Sequence, residues 1–334
     1  MVKSVIIKST FSGCVVSISQ IFLFVNYKNY DWEKKMKTVK YTGILPAFIT
    51  PFKEDNQTIN TPAVRQMIDR LLEQGANGFY ILGATGEGLV MSREAREEMC
   101  EVAVEHTAGR KPVICHVASM NLNEAVELAK HAERTGADAI ASVPPFFYYY
   151  DGTDIYNYYK KIANSVHIPV IVYHHPSASK NMSAELLAKI FEIDNVMGVK
   201  WSTNDFYEMM RLKDLTQGEM NIINGPDEML ICGLAAGADA GIGSTYTSML
   251  PEYVRLYNCV QEGKLEEARQ IQYKINRVIG VFLKNECIPG VKYAAVLQGF
   301  DVGEATYPMR HFTEQQKKDM EAELRANGWP FTEQ

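Results

Sequence analysis

A lysine closing an apolar, β-branched run is the residue of this sequence with the strongest chemical implication. Residues 196–200 read Val-Met-Gly-Val-Lys, the pattern of a strand buried on both faces. Lys200 would therefore bring an ammonium to the mouth of a sheet. An unpaired ammonium there is costly unless its pKa falls or it finds partners, and a desolvated lysine of depressed pKa is a nucleophile toward ketones. Lys130, Lys189 and Lys274 lie on helical patterns and read as solvated faces. A second run, residues 169–176 (Pro-Val-Ile-Val-Tyr-His-His-Pro), ends its strand on Tyr173. A tyrosine so placed more often packs than reacts, but beside a strand-end lysine it acquires a second reading, as a proton carrier.

Other strand ends carry polar groups. Residues 83–88 (Gly-Ala-Thr-Gly-Glu-Gly) form a glycine-rich turn whose amides, with the Thr85 hydroxyl, suit a carboxylate; the plainer reading is a tight turn that needs glycine for shape. Glu87 is expected to orient this loop through backbone N–H groups rather than touch substrate. Residues 224–228 (Asn-Gly-Pro-Asp-Glu) and 241–247 (Gly-Ile-Gly-Ser-Thr-Tyr-Thr) offer carboxylates, hydroxyls and backbone at one rim, as polyol recognition requires. Asp227 and Glu228 fit equally well as carboxylates favoured at a helix N-terminus. No His, Asp or Glu cluster has metal-ligand spacing, His174 and His175 alternate faces, and the G-x-S-x-G elbow of a serine hydrolase is missing. Lysine chemistry remains.

The elements that must hold these groups follow from periodicity. Strands are predicted at 43–50, 78–82, 113–116, 139–143, 170–173, 196–200, 220–224 and 240–243, alternating with amphipathic stretches such as 92–106, 121–135 and 183–191 that open on Ser92, Asn121 and Ser183 as N-caps. Gly75, Gly136 and Gly237 each end a helix ahead of a strand. Eight such units predict an α/β chain folded as a (β/α)8 TIM barrel with a C-terminal helical extension, its reactive groups at the C-terminal ends of the strands. An open doubly wound sheet is the alternative, but neither a G-x-G-x-x-G after the first strand nor a P-loop lysine supports it. Beyond Thr247 the pattern turns helical, at 265–284, 291–297 and 313–326, to cap or buttress the barrel.

The chain is accordingly divided into an N-terminal extension (1–35), the barrel (36–250) and C-terminal helices packed on it (251–334). In the extension, Lys3 and Lys8 precede an apolar stretch, 11–25, that is interrupted by Ser12, Ser17, Ser19 and Gln20. It is shorter and more polar than the roughly 20 apolar residues of a bilayer span and has no clear cleavage site, so the working domain is expected to begin near Met36. With 334 residues, 46% hydrophobic and 22% charged, the chain has material for a large core. A formal charge of -6 and a pI near 5.7 argue against nucleic acid or an anionic membrane as main partner, leaving a small molecule. Cys14, Cys100, Cys115, Cys232, Cys259 and Cys287 have no paired or metal-type spacing and read as free thiols of a reducing cytoplasm.

The Gly83-to-Glu87 loop, the Tyr-x-x-Pro strand end at Tyr173 and Pro176, the Gly198, Val199 and Lys200 triplet, and the Gly241-to-Ser244 segment together resemble the dihydrodipicolinate synthase and N-acetylneuraminate lyase family of class I aldolases, over about residues 43–312. The resemblance implies that Lys200 forms an imine with the C2 ketone of a 2-oxo acid, that Tyr173 relays protons and that Thr85 with its loop amides holds the carboxylate. It implies no cofactor beyond the covalent imine, no metal, and a cytoplasmic homotetramer. Synthases of the family usually carry an arginine two residues after the Tyr-x-x-Pro proline; Ala178 stands there. The rim instead resembles the sialic acid lyase subfamily, in which residues matching Gly225, Asp227, Glu228 and Ser244 bind the sugar chain, and Ala84 and Ser202 complete the implied substrate-binding set. The implied activity is cleavage of N-acetylneuraminate to N-acetylmannosamine and pyruvate. An aldolase or dehydratase of another 2-oxo sugar acid, a 4-hydroxy-tetrahydrodipicolinate synthase and a non-catalytic sugar-acid-binding barrel are the alternatives. Two positions depart from the family pattern: Ala84, where Ser or Thr is more usual, and Phe147 in the 144–150 run (Pro-Pro-Phe-Phe-Tyr-Tyr-Tyr), where many members offer a tyrosine hydroxyl that Tyr148 would have to supply.

Overall fold

The computed structural model describes residues 40–178 and 182–330, so the 1–35 extension lies outside the described residues. The eight apolar runs become strands β1 (Gly43–Pro46), β2 (Phe79–Ile81), β3 (Val113–His116), β4 (Ala139–Ser142), β5 (Val170–His174), β6 (Val196–Trp201), β7 (Asn221–Asn224) and β8 (Ala240–Gly243). Each is followed by a helix: α1 (Thr61–Glu73), α2 (Arg93–Thr107), α3 (Leu122–Thr135), α4 (Gly152–Ala163), α5 (Ala184–Phe191), α6 (Phe206–Leu215), α7 (Leu230–Ala235) and α8 (Tyr246–Gln261). The strands are parallel neighbours in the order β1-β8-β7-β6-β5-β4-β3-β2, and a parallel bridge between Ala47 and Tyr80 closes the ring. This is the expected TIM barrel.

The predicted punctuation is in place. Ser92, Asn121 and Ser183 each accept a backbone N–H in the first turn of their helices, and Gly75, Gly136 and Gly237 all take positive φ at helix ends. Strand β1 is shorter than predicted because its chain crosses from one neighbour to the other: Ala47 N–H donates to Gly243 O and Phe48 N–H to Tyr80 O, both at 2.9 Å.

Three further helices, α9 (Leu265–Lys284), α10 (Cys287–Leu297) and α11 (Glu314–Ala326), pack on the barrel, and Phe282, Val291 and Leu324 share one core with Val64 of α1 and Leu256 of α8. Helix α8 runs through residue 250 and kinks at Met249, two residues before Pro251, whose ring cannot continue the ladder. The position where barrel and C-terminal region were divided therefore lies inside one helix. Helix α10 starts four residues earlier than predicted because Pro289 falls in its first turn, where no N–H is needed. No helix among the described residues is long and apolar enough to cross a membrane.

Strand residues alternate between an outer core against the helices and an inner cluster that includes Leu45, Tyr80, Ile171, Tyr173, Met197 and Ile223. Strand β6 breaks this alternation. Val170 pairs with Val196 but Ile171 pairs with Gly198, so Met197 is an extra residue on the β6 side. Met197 faces the interior; strict alternation would send Lys200 outward. The bulge flips the phase, so that Val199 and Trp201 join the outer core while Lys200 turns inward. Glycine is needed at the bulge, since a Cβ on Gly198 would lie 2.4 Å from Asn221 O.

A side chain extends the β1 seam beyond its strand. Asn221, wholly buried, accepts from Tyr41 N–H at 3.0 Å and donates to Tyr41 O at 3.1 Å, imitating a strand neighbour. Replacing Asn221 by Ala strands both Tyr41 groups, at roughly 1–3 kcal/mol for each buried polar group left unpaired. The variant is expected to lose about 2–4 kcal/mol of unfolding free energy by chemical denaturation; a loss under about 0.5 kcal/mol would show that this seam adds nothing net.

Candidate active site

Lys200 and Tyr173 are directly paired across β5 and β6. Both side chains are buried, at 5% and 4% exposure, in the barrel interior. Lys200 Nζ lies 3.9 Å from the Tyr173 ring centroid and 4.7 Å from that of Tyr80 on β2. An ammonium over aromatic faces recovers part of its lost hydration. Tyr173 meets the rings of Tyr80, His116 and His175 edge-on at 5.9, 5.8 and 5.6 Å, so its position is over-determined.

The surrounding histidines are held neutral. Burial, reinforced by Arg96 and Lys200, pushes His116 down to about 3. Its Nδ1 reaches Leu82 O at 3.1 Å and its Nε2 receives the Val143 N–H at 3.3 Å, an arrangement that fits one neutral tautomer. Arg96 of α2 braces the end of β3 by donating to His116 O and Ala118 O. Burial and then the Lys200 charge also lower His175.

The glycine-rich loop follows β2. Thr85 is buried while Ala84 is exposed at the loop tip. The Thr85 hydroxyl lies 2.6 Å from that of Ser244, joining the loop to the end of β8. Thr50 donates to Gly86 O at 2.6 Å, and a Cβ on Gly88 would stand 2.0 Å from Leu82 O, so the loop folds tightly over its own strand. Glu87 points away from Lys200, into the C-terminal region, where it accepts the Thr306 N–H at 2.6 Å and pairs with Lys292.

The opposite rim comes from β6, β7 and β8. Gly225 abuts Ser202 so closely that a Cβ would meet its Oγ at 2.0 Å. Asp227 is buried and its Oδ2 takes both the N–H and the hydroxyl of Thr245, at 2.7 Å each. Burial raises Asp227 to about 6, against the pull of those Thr245 bonds. Glu228 is half-buried, its turn held by Asn276, which donates to Glu228 O at 3.0 Å. Asp227 thus organises the β8 loop from within. Tyr148, considered as a hydroxyl source, is 70% exposed and stacks edge-on with Phe147, so it does not face Lys200 within this chain.

The sequence reading missed Tyr80, His116 and Cys287. Tyr80 and His116 occupy strands β2 and β3 on the floor beneath Lys200, a placement legible only from the phase of each strand. The Cys287 thiol is pushed up to about 12 by burial and by the charges of Asp227 and Glu228, which puts it beside the polar rim. Among the described residues, no group of three or more His, Cys, Asp or Glu is placed to hold a metal ion.

Comparison with known proteins supplies the context for this geometry. The model of the dihydrodipicolinate synthetase family matches residues 40–327. The chain is 31% identical to an N-acetylneuraminate lyase of Rhizobium meliloti, over 83% of this chain and 92% of that protein. It is 34% identical to an N-acetylneuraminate lyase of Clostridium perfringens, over 82% and 95%. Among solved structures, the Proteus mirabilis N-acetylneuraminate lyase superposes with a TM-score of 0.83 at 29% identity, covering 87% of this chain and all of that one.

The buried groups set how the fold responds to acid. His116 falls from its ordinary 6.5 to about 3, and His174, buried beside His175, falls to about 4. Unfolded histidines take up protons that these native ones refuse, so stability is complete above pH 6.5 and declines as the pH falls toward 4 and 3. Asp227 has the opposite sign: raised from 3.8 to about 6, it favours the fold when protonated and lowers stability as the pH rises through that range. Two histidines outweigh one aspartate, and the net slope is destabilisation by acid. His174→Asn is expected to reduce that slope by about one proton near pH 5, measured from unfolding free energies at neighbouring pH values. An unchanged slope would mean that native His174 titrates at its ordinary pH.

Proposed function

This chain belongs to the dihydrodipicolinate synthetase family, and from that premise we propose that it cleaves N-acetylneuraminate to N-acetylmannosamine and pyruvate as a class I aldolase. The observation that carries the chemistry is the pairing of Lys200 and Tyr173 on adjacent strands inside the barrel. A carbon–carbon lyase of this type needs an electron sink and a group to move protons beside it.

In the proposed cycle the Lys200 amine adds to the C2 ketone of the open-chain sugar acid, and loss of water gives the imine. Tyr173 takes the proton from the C4 hydroxyl, the C3–C4 bond breaks into the imine, and the aldehyde leaves as N-acetylmannosamine. The remaining enamine is protonated at C3, and water releases pyruvate and the free lysine. Thr85 and the loop amides receive the substrate carboxylate, and Ser202, Gly225, Asp227, Glu228 and Ser244 take the polyol chain. The lysine supplies the electron sink, so no cofactor is required. The working form is taken to be a cytoplasmic homotetramer.

Two features support the sugar-acid reading over the synthase: Ala178, which has no charge for a second carboxylate, and the hydroxyl-rich rim between β7 and β8. Ala84, which adds no hydroxyl to the carboxylate loop, favours as second reading an aldolase or dehydratase of a related 2-oxo sugar acid.

The deciding experiment is pyruvate release from N-acetylneuraminate by the purified protein. Wild type is expected to release pyruvate and Lys200→Ala only background. Pyruvate trapped by borohydride on Lys200 without turnover of N-acetylneuraminate would keep the aldolase and replace the substrate; no adduct at all would remove the Schiff base. Tyr173→Phe is expected to retain imine trapping while kcat falls about 10²–10⁴-fold; wild-type turnover by this variant would assign the proton transfer elsewhere.

A further inference from the structure

We infer that Lys292, on helix α10 outside the barrel, is a positioning residue for the carboxylate-binding loop and acts on it through Glu87. The inference rests on the 2-oxo acid reading above and extends the binding machinery into the C-terminal helices.

The two side chains form a fully interior ion pair. Lys292 Nζ lies 2.7 Å from Glu87 Oε1, with side chains 2% and 0% exposed. The same ammonium donates to Glu304 O at 2.9 Å and sits 4.2 Å from the Phe52 ring centroid. The second Glu87 oxygen accepts the Thr306 N–H. Each end of the pair is thus tied to the 304–306 segment as well as to its partner.

Stability alone gives a weak reason for such a pair, since well-packed apolar residues of similar volume commonly hold a fold as well as a buried ion pair does. Fixed geometry is what the pair adds. Glu87 stands two residues beyond Thr85, at φ +59, a left-handed conformation that a non-glycine residue adopts only when its surroundings enforce it. The loop around it is pulled from two sides: Thr50 holds the Gly86 carbonyl from the β1 side, and Lys292 with Thr306 holds Glu87 from the C-terminal side. Between these anchors the loop leaves the Thr85 hydroxyl against Ser244. Without the ammonium on α10, Glu87 keeps only the Thr306 N–H, and the loop loses the anchor that holds Thr85 and the neighbouring amides in register with the carboxylate they receive.

The test is the pyruvate concentration that half-saturates borohydride trapping on Lys200, measured for wild type, Lys292→Met, Thr85→Val and the double variant. Lys292→Met is expected to raise that concentration about tenfold to a hundredfold with little change in the yield at saturation. In its background Thr85→Val is expected to add almost nothing, because the hydroxyl is already misplaced. Where Lys292→Met does not fold, Glu87→Gln combined with Lys292→Met removes both charges, keeps an acceptor for Thr306, and is expected to show the same weakened pyruvate half-saturation at near-native melting temperature. Half-saturation equal to wild type in a folded variant, with the full Thr85→Val effect retained, would overturn the positioning role. Failure of the wild type to trap pyruvate would instead overturn the 2-oxo acid reading and this proposal with it.

Discussion

The phase of strand β6 is the constraint on which the rest of the site depends. One extra residue at Met197 turns the strand over, so that the side chain three positions later enters the barrel instead of the helix layer. Gly198 permits the turn because nothing larger fits against the backbone of β7. The consequence is an ammonium in the barrel interior beside the phenol of the next strand. The cost of that burial is met by aromatic faces, and the same burial denies protons to His116, so the floor of the site carries little competing positive charge.

Around this centre the polar groups divide into two kinds. Some are internal braces: Asp227 holds the β8 loop through Thr245, and Arg96 holds the end of β3. Others meet at the mouth: Thr85 and Ser244 link the ends of β2 and β8 across β1, and Ser202 packs against Gly225 at the adjacent ends of β6 and β7. The Thr85–Ser244 hydroxyl pair is notable because it connects the loop assigned to the carboxylate with the rim assigned to the sugar chain. A ligand that reorganises one hydroxyl must be felt by the other.

Much of this is legible in the sequence. Apolar runs bounded by helix caps and helix-ending glycines are local signals, and they located all eight strands because parallel barrel strands are buried on both sides and tolerate little else. Lys200 stood out for the same reason: a charge at the end of such a run contradicts its surroundings. What local pattern could not convey was direction. The bulge in β6 leaves only a glycine as its trace, a weak signal, so the inward turn of Lys200 is not readable from the run itself. Tyr80 and His116 went unremarked because each looks like ordinary core until neighbouring strands bring them under one lysine. Glu87 is expected from the sequence to use backbone N–H groups, and it accepts one from Thr306, but its partner Lys292 lies on a distant helix, and no short-range pattern links the two. The early start of α10 was hidden by Pro289, which reads as a breaker unless it falls in a first turn.

Closure of the ring also imposes an order in time. Strand β1 is synthesised first among the strands and β8 last, yet they are neighbours, paired from Gly43 with Ala240 to Pro46 with Gly243. At roughly 5–20 residues per second, on the order of ten seconds or more separates their appearance. Through that interval the edge of β1 that β8 will cover stays unpaired, and the segment that later covers the β1–α1 connection, through Phe52 N–H to Val302 O and Asn60 to Asp301, has not yet been made. An open β1 edge is a template for pairing with other chains until β8 and the helices that seal the ring are in place.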